Sequence, residues 1–219
     1  QRQMCIRDRW IVDTLGIDGF RLDAVKHISS FFLNDWLDGV RSHVTQTQAG
    51  RSVFAVGEYW DGDVNVLSAY LNATGHRMSL FDVPLHYRFH EASRAGRNYD
   101  LRTIFDHTLV AQQPTAAVTF VDNHDTQPLQ SMESVVEPWF KPLAYALILL
   151  REAGYPCVFY GDYYGATYSD RGPDGQTHNI ILPNHHWLLD KFLYARHRFA
   201  WGPQPVSYTH LRAHETVLD

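Results

Sequence analysis

Cysteine is nearly absent: the 219-residue chain holds two, Cys5 and Cys157. Two are too few for a disulfide framework, so the redox compartment stays open. Excess positive charge is absent as well. With 19 Lys and Arg against 24 Asp and Glu, the formal net charge is -5, and so mild an acidity leaves no electrostatic footprint for nucleic acid or an anionic membrane surface. The apolar runs are short and interrupted, which leaves no candidate membrane-spanning helix. No glycine-rich phosphate fingerprint follows the first apolar strand, so a nucleotide-binding doubly wound sheet loses its main support. The histidines show no two-His helical metal spacing, and no segment repeats another.

The two ends read as foreign to what lies between them. "MCIRD" near the start can be encoded by ATG TGT ATA AGA GAC, and the opposite strand of that DNA encodes "VSYTH", which stands at Val206 to His210. An inverted pair flanking an insert has the form of a transposon-type sequencing adaptor. Residues 1–9 and 206–219 are therefore expected to be non-native adaptor-like tails, with two unstructured native tails as the alternative. The insert, residues 10–205, then begins and ends inside apparent secondary structure and is expected to be part of a longer gene. Cys157, in an apolar strand, is expected in the packed core. Asn72-Ala73-Thr74 matches a glycosylation acceptor, a pattern short enough to arise by chance.

Within the insert, short apolar runs alternate with helical periodicity. "GIDGFRLD" reads as a buried strand, and Val25, Ile28, Phe32, Trp36, Val40 and Val44 then recur at helical spacing. "SVFAVGEYW" with "DGDVNVLSAYLNATG" gives a second strand and helix, the helix with an Asp-rich start and a Gly stop. "SLFDVPL" with a helix around "YDLRTIFDHTLV" gives a third, and "AAVTFVDNHD" with a helix opening at Pro138 a fourth. "YPCVFYGDYYG", a Gly/Pro/Asp-rich loop "SDRGPDGQ" and the helix "HHWLLDKFLYARHRFAWG" complete a fifth. Strands that are apolar for most of their length, each followed by a helix, predict an α/β fold with a parallel sheet. Polar residues gather where the strands finish: Arg21 and Asp23, Glu58, Asp82, Asp122 to Asp125, Asp162. Convergence of strand ends on one site is the habit of a (β/α)8 TIM barrel, of which five units would be the C-terminal part, truncated at both ends.

Three stretches carry chemistry. In "GFRLDAVKH", Arg21 and Asp23 are two apart on a strand and so share a face, where the guanidinium can hold the carboxylate ionised as a nucleophile or simply close an ion pair at the rim. Lys26 and His27 fall on the first turn of the next helix, either facing the same mouth or solvated. In "AVGEYW", Glu58 lies beside Tyr59 and Trp60, and a poorly solvated carboxyl holds its proton as a general acid must. Trp60 can stack on a sugar face or pack as any core aromatic. "FVDNHD" places Asp122, Asn123, His124 and Asp125 at another strand end, where hydrogen bonding to ligand hydroxyls suits the composition better than a metal shell of contiguous ligands.

In this order, "GFRLDAVKH", "GEYW" and "FVDNHD" resemble three signature regions of the alpha-amylase family, glycoside hydrolase family thirteen. "DTQPLQ", "EPWFKPLAYALILLREAGYP" and "RGPDGQTHNI" resemble its bacterial liquefying-type members, especially the cytoplasmic branch. The resemblance implies retaining hydrolysis of internal α-1,4-glucosidic bonds in starch or glycogen. Asp23 would be the nucleophile, Glu58 the general acid/base and Asp125 the transition-state stabiliser. Arg21, Lys26, His27, Trp60 and His124 would bind substrate or orient the nucleophile. It implies calcium, with the His27 backbone carbonyl as one ligand and the others upstream of this chain. It further implies an α-glucan as partner, a monomeric parent, and a cytoplasmic location with secretion as the alternative. The family's earlier signature region, its inserted calcium-binding domain and its C-terminal β-sandwich have no counterpart here. A transglycosylase on the same scaffold, a non-catalytic carbohydrate-binding relative and an inactive piece are the rival expectations.

Overall fold

The computed structural model describes residues 2–200, so the expected tail at 206–219 lies outside the described residues. Helix α1 (Arg2–Leu15) leads into strand β1 (Gly19–Leu22) and helix α2 (Ser30–Thr47). Strand β2 (Phe54–Gly57) precedes α3 (Val64–Ala73), and β3 (Ser79–Phe81) precedes α4 (Val83–Ala95). The short α5 (Leu109–Gln112) precedes β4 (Ala117–Phe120), followed by α6 (Lys141–Leu149) and β5 (Tyr155–Cys157). The one-turn α7 (Tyr160–Tyr164), strands β6 (Ala166–Arg171) and β7 (Thr177–Leu182), and α8 (His186–Arg198) complete the order.

The first five strands form one sheet in the order β1-β2-β3-β4-β5, every neighbouring pair parallel. A doubly wound sheet reverses its strand order at a switch point. This one never reverses, so right-handed crossovers lay the helices that connect its strands on one side and the sheet curls away from them. The curl has a measure. β2 and β5 stand three strands apart, which in a flat sheet separates side chains by about 14 Å, yet the rings of Phe54 and Tyr155 meet with centroids 5.7 Å apart. The architecture is α/β, a five-strand arc of a (β/α)8 TIM barrel.

The principal core lies between the convex sheet face and its helices: Leu33 and Leu37 of α2, Leu67 and Leu71 of α3, Leu85 and Phe89 of α4 and Ile148 of α6 pack with Leu80 and Ala117 of the strands. A smaller cluster of Val12, Val40, Val44 and Val53 joins α1 to α2. In the first of the expected tails, Asp8 accepts a hydrogen bond from Trp36 Nε1 at 2.6 Å.

Four local readings change. The residues after β3 form α4, with Asp82 as its N-cap and Pro84 in its first turn, while the stretch from Tyr99 forms only a 3-10 turn (Leu101–Thr103) and α5. Helix α6 opens at Lys141 with Pro142 in the first turn, and Pro138 precedes it. Lys26 and His27 sit in a separate 3-10 turn, Val25–His27, because Ile28 returns to extended backbone before α2 begins. The Gly/Pro/Asp-rich loop proves to be the tip of an antiparallel hairpin, β6 with β7.

Candidate active site

The β1 and β2 ends are tied together through Arg21, which extends from β1 to two carboxylates. Its Nη1 donates to Asp23 Oδ1 at 2.5 Å and its Nη2 to Glu58 Oε1 at 2.7 Å. Glu58 is buried at 6% exposure, and its second oxygen accepts from the Ala24 backbone N–H at 3.2 Å. That donor is aimed by an uncommon turn: Ala24 has φ 45 and ψ 43, in the left-handed region that a residue with a Cβ enters at a cost of about 1 kcal/mol. Gly57 lets β2 lie this close. A Cβ there would come within 2.8 Å of Met78 Sδ and 3.2 Å of Val25 Cγ2, so a larger residue would have to displace these side chains. Asp23 stays open, its side chain 73% exposed: one carboxylate faces the solvent side of the guanidinium and the other its buried side.

Around this pair, Lys26 Nζ donates to the Trp60 carbonyl at 3.1 Å, and Trp60 Nε1 donates to Tyr87 OH at 2.9 Å. The Trp60 ring stands over His86 and Phe120, with centroids 5.8 and 6.1 Å away. Tyr87 and His86 come from α4, which sequence periodicity passed over; the signal available was Asp82 followed by Pro84, a helix start. His86 is fully buried and stacked on Phe120 at 5.2 Å. Its Nδ1 donates to the Val121 carbonyl at 2.6 Å and its Nε2 meets Ser134 Oγ at 2.8 Å. Burial pushes its pKa down to about 4, so the ring is neutral.

His124 and Asp125 follow β4. Asp125 Oδ2 is 3.3 Å from His124 Nε2 and its Oδ1 accepts from Ser131 Oγ at 3.3 Å. Asn123 Oδ1 accepts the N–H of Asp125 at 2.9 Å and of Thr126 at 3.0 Å, the turn that sets the Asp125 backbone. Arg21, Asn123 and His124 share the wall of a cavity of about 470 Å³ with Val56, Phe81, Phe120 and Cys157. Every barrel strand contributes to that lining. Cys157 is accordingly half-buried on the cavity wall rather than in the packed core, and burial pushes its thiol up.

The remaining strand-end acids serve structure. Asp82 is wholly buried and accepts three backbone N–H groups, from Leu85 at 3.1 Å, Leu109 at 3.0 Å and Val110 at 2.7 Å, so one side chain caps α4 and also anchors the start of α5. Asp122 and Asp162 flank Lys141, whose Nζ lies 2.8 Å from Asp122 Oδ2 and bonds Asp162 Oδ1; Tyr145 OH donates to Asp162 Oδ2 at 2.7 Å.

His27 stands exposed at the end of its 3-10 turn. Calcium takes six to eight oxygen ligands, and among the described residues no three His, Cys, Asp or Glu side chains gather where they could hold a metal. The residues present do not by themselves fit a calcium shell. No helix among the described residues is long and apolar enough to cross a membrane.

Fold and site define a β/α-barrel domain with a carboxylate site at the C-terminal ends of its strands. The family model described as alpha amylase, catalytic domain, matches residues 2–201. The chain is 52% identical over 202 residues to the cytoplasmic alpha-amylase of Escherichia coli K12, covering 92% of this chain and 40% of that protein. It is 53% identical over 196 residues to the alpha-amylase of Geobacillus stearothermophilus, covering 90% of this chain and 33% of that protein. Among solved structures, the cyclic alpha-maltosyl-(1-->6)-maltose hydrolase of Arthrobacter globiformis superposes with a TM-score of 0.58 at 21% identity, over 90% of this chain and 42% of that one, a likeness of fold. This chain belongs to the alpha-amylase family. It spans a third to two fifths of the length of these curated relatives.

Proposed function

We propose that this chain supplies the acid-bearing arc, units four to eight, of a barrel that hydrolyses internal α-1,4-glucosidic bonds in starch- or glycogen-type polysaccharides with retention of configuration. The observation that carries this reading is the single guanidinium of Arg21 bonded to both Asp23 and Glu58. A retaining mechanism needs its two carboxylates about 5 Å apart, and the shared guanidinium supports this reading by keeping Asp23 and Glu58 neighbours.

Asp23 attacks the anomeric carbon while Glu58 gives its proton to the departing glycosidic oxygen, leaving a glycosyl ester on Asp23. Glu58, now ionised, takes a proton from water, whose oxygen displaces Asp23 and restores both groups. Asp125 accepts hydrogen bonds from ring hydroxyls that strengthen as the oxocarbenium-like state forms. Arg21, His27 and His124 bind sugar or orient Asp23, and Lys26 and Trp60 line the subsites past the scissile bond. Calcium would take the His27 carbonyl, with the rest of its shell from outside this chain, and no step above runs through it. The protein acts as a monomer on a glucan in the cytoplasm, the location that the name of the Escherichia coli relative carries, with export as the alternative.

The test is a complete barrel in which residues 10–205 replace their counterparts in the Escherichia coli relative. Glu58→Gln is expected to lower starch turnover by about three orders of magnitude or more while substrate binding survives. An activated substrate, whose leaving group needs little protonation, still glycosylates Asp23; Asp23→Asn abolishes both reactions. Near-normal starch turnover by Glu58→Gln, or an inverted product, sinks the assignment. Transfer to an added acceptor sugar in preference to water identifies a transglycosylase instead.

A further inference from the structure

Between the buried ion cluster and the turn that carries Asp125 stands one hydroxyl. Thr126 is fully buried. The Asn123 backbone N–H donates to its Oγ1 at 3.0 Å, and that hydroxyl in turn has Asp122 Oδ1 at 3.1 Å and the Asn123 carbonyl at 3.2 Å as acceptors. A carboxylate is the stronger acceptor of the two. Asp122 is itself pinned: its other oxygen lies 2.8 Å from Lys141 Nζ, and Lys141 is bonded to Asp162 beyond β5. The chain of contacts therefore runs from α6 and the β5 end, through Asp122 and the Thr126 hydroxyl, into the backbone of Asn123, whose side chain holds the Asp125 N–H.

We infer that Thr126 is a positioning residue for the reaction, its hydroxyl transmitting the fixed place of the Asp122–Lys141–Asp162 cluster to the turn that presents Asp125. The inference rests on the reading of Asp125 as the transition-state stabiliser. A cluster built only for stability would have no need to end on the backbone of that turn. Polar groups stabilise a transition state in proportion to how little they must reorganise, and a carboxylate on a loose turn would bind the substrate's hydroxyls nearly as well in the ground state while losing its advantage in the transition state.

Thr126→Val tests this in the complete barrel described above, because valine keeps the shape and the Thr126 N–H bond to Asn123 Oδ1 and removes only the hydroxyl. The expected result is a fall in kcat of about tenfold to thirtyfold with KM within about twofold of the parent. Thr126→Ser, which restores the hydroxyl, should recover kcat to within about threefold. Hydrogen exchange of a peptide spanning residues 121–127 should accelerate in the valine variant and return towards the parent in the serine variant. Unchanged kcat in Thr126→Val, a rise in KM equal to any fall in kcat, no rescue by serine, or unchanged exchange overturns the inference. Asp125→Asn in the same barrel separates the two readings. If it leaves turnover intact, the role given to Asp125 fails, and the exchange data alone then decide whether the hydroxyl holds the turn.

Discussion

Lys141 offers the sharpest perturbation, because one ammonium serves two carboxylates in a dry place. It is 4% exposed, Asp122 2% and Asp162 1%. Lys141→Met keeps the length of the stem and removes the charge, leaving both carboxylates with only neutral donors: Thr126 Oγ1 and the Val136 N–H at Asp122, Tyr145 OH at Asp162. Breaking a buried ion pair by removing one partner costs about 3–5 kcal/mol, and about 4 kcal/mol is expected at pH 8. The pH dependence follows in sign. Burial, with Asp162 adding to it, pushes Asp122 up to about 7 against the opposing pull of Lys141. A carboxyl raised in the folded state contributes stability that is fully present below its unfolded value and is lost as pH rises through the folded one, here between about 4 and about 7. Lys141 opposes that rise, so without the cation Asp122 takes up its proton at a higher pH than in the parent. The deficit should therefore be smaller at pH 6.5 and 5 than at pH 8, with a slope of at most about 1.4 kcal/mol per pH unit above about pH 7 and none below it. Urea unfolding of the complete barrel at pH 8, 6.5 and 5, followed by tryptophan fluorescence, measures both quantities. A loss below about 1 kcal/mol at pH 8, or a deficit indifferent to pH, refutes the reasoning. Adding Asp162→Asn to Lys141→Met should recover about half of the loss.

Asp82→Asn keeps one acceptor oxygen but turns an amide towards the Val110 N–H. Because burial pushes Asp82 up to about 6, the parent's advantage over the variant should be larger at pH 4 than at pH 8 by up to about 3 kcal/mol; equal deficits at the two pH values argue against the buried cap. Deleting residues 1–9 and 206–219 should change stability by less than about 1 kcal/mol, and a greater loss would return the segment bearing Asp8, the partner of Trp36, to the native protein. Among the described residues β1 and β5 are unpaired sheet edges, so the chain by itself should aggregate or stay inert towards starch, a prediction ended by measurable hydrolysis from a monomeric sample.

What the sequence let a reader see, and what it hid, divides along locality. The β/α alternation was legible because a parallel strand buried on both faces is a run such as "AAVTF", distinct from the spaced apolar residues of α2. Arg21 and Asp23 were legible as partners from their two-residue spacing, although Asp23 lies one residue past the end of β1, in the turn that follows, where the long Arg21 side chain reaches it. Helix α4 was hidden by economy: Asp82 is the only residue between it and β3, so the strand and helix signals run together. The β6–β7 hairpin was hidden by its own turn, whose Gly, Pro and Asp outweigh a period-two pattern visible in "ATYSDR". The acids posed the harder problem. Asp82, Asp122, Asp162, Glu58 and Asp125 all sit at strand ends, and one-dimensional reasoning gives them one status. Their fates diverge through partners distant in the chain: the start of α5 for Asp82, in addition to the helix it caps locally, the ammonium of Lys141 for Asp122 and Asp162, the guanidinium of Arg21 for Glu58. Asp82, Asp122 and Asp162 give their oxygens to backbone N–H groups, hydroxyls and a buried ammonium, whereas Asp23 and Asp125 keep an open side; Glu58, bonded to Arg21 and the Ala24 N–H, falls between the two groups. What separates Asp82, Asp122 and Asp162 from Asp23 and Asp125 is therefore unspent hydrogen-bonding capacity, which only the assembled strand ends disclose.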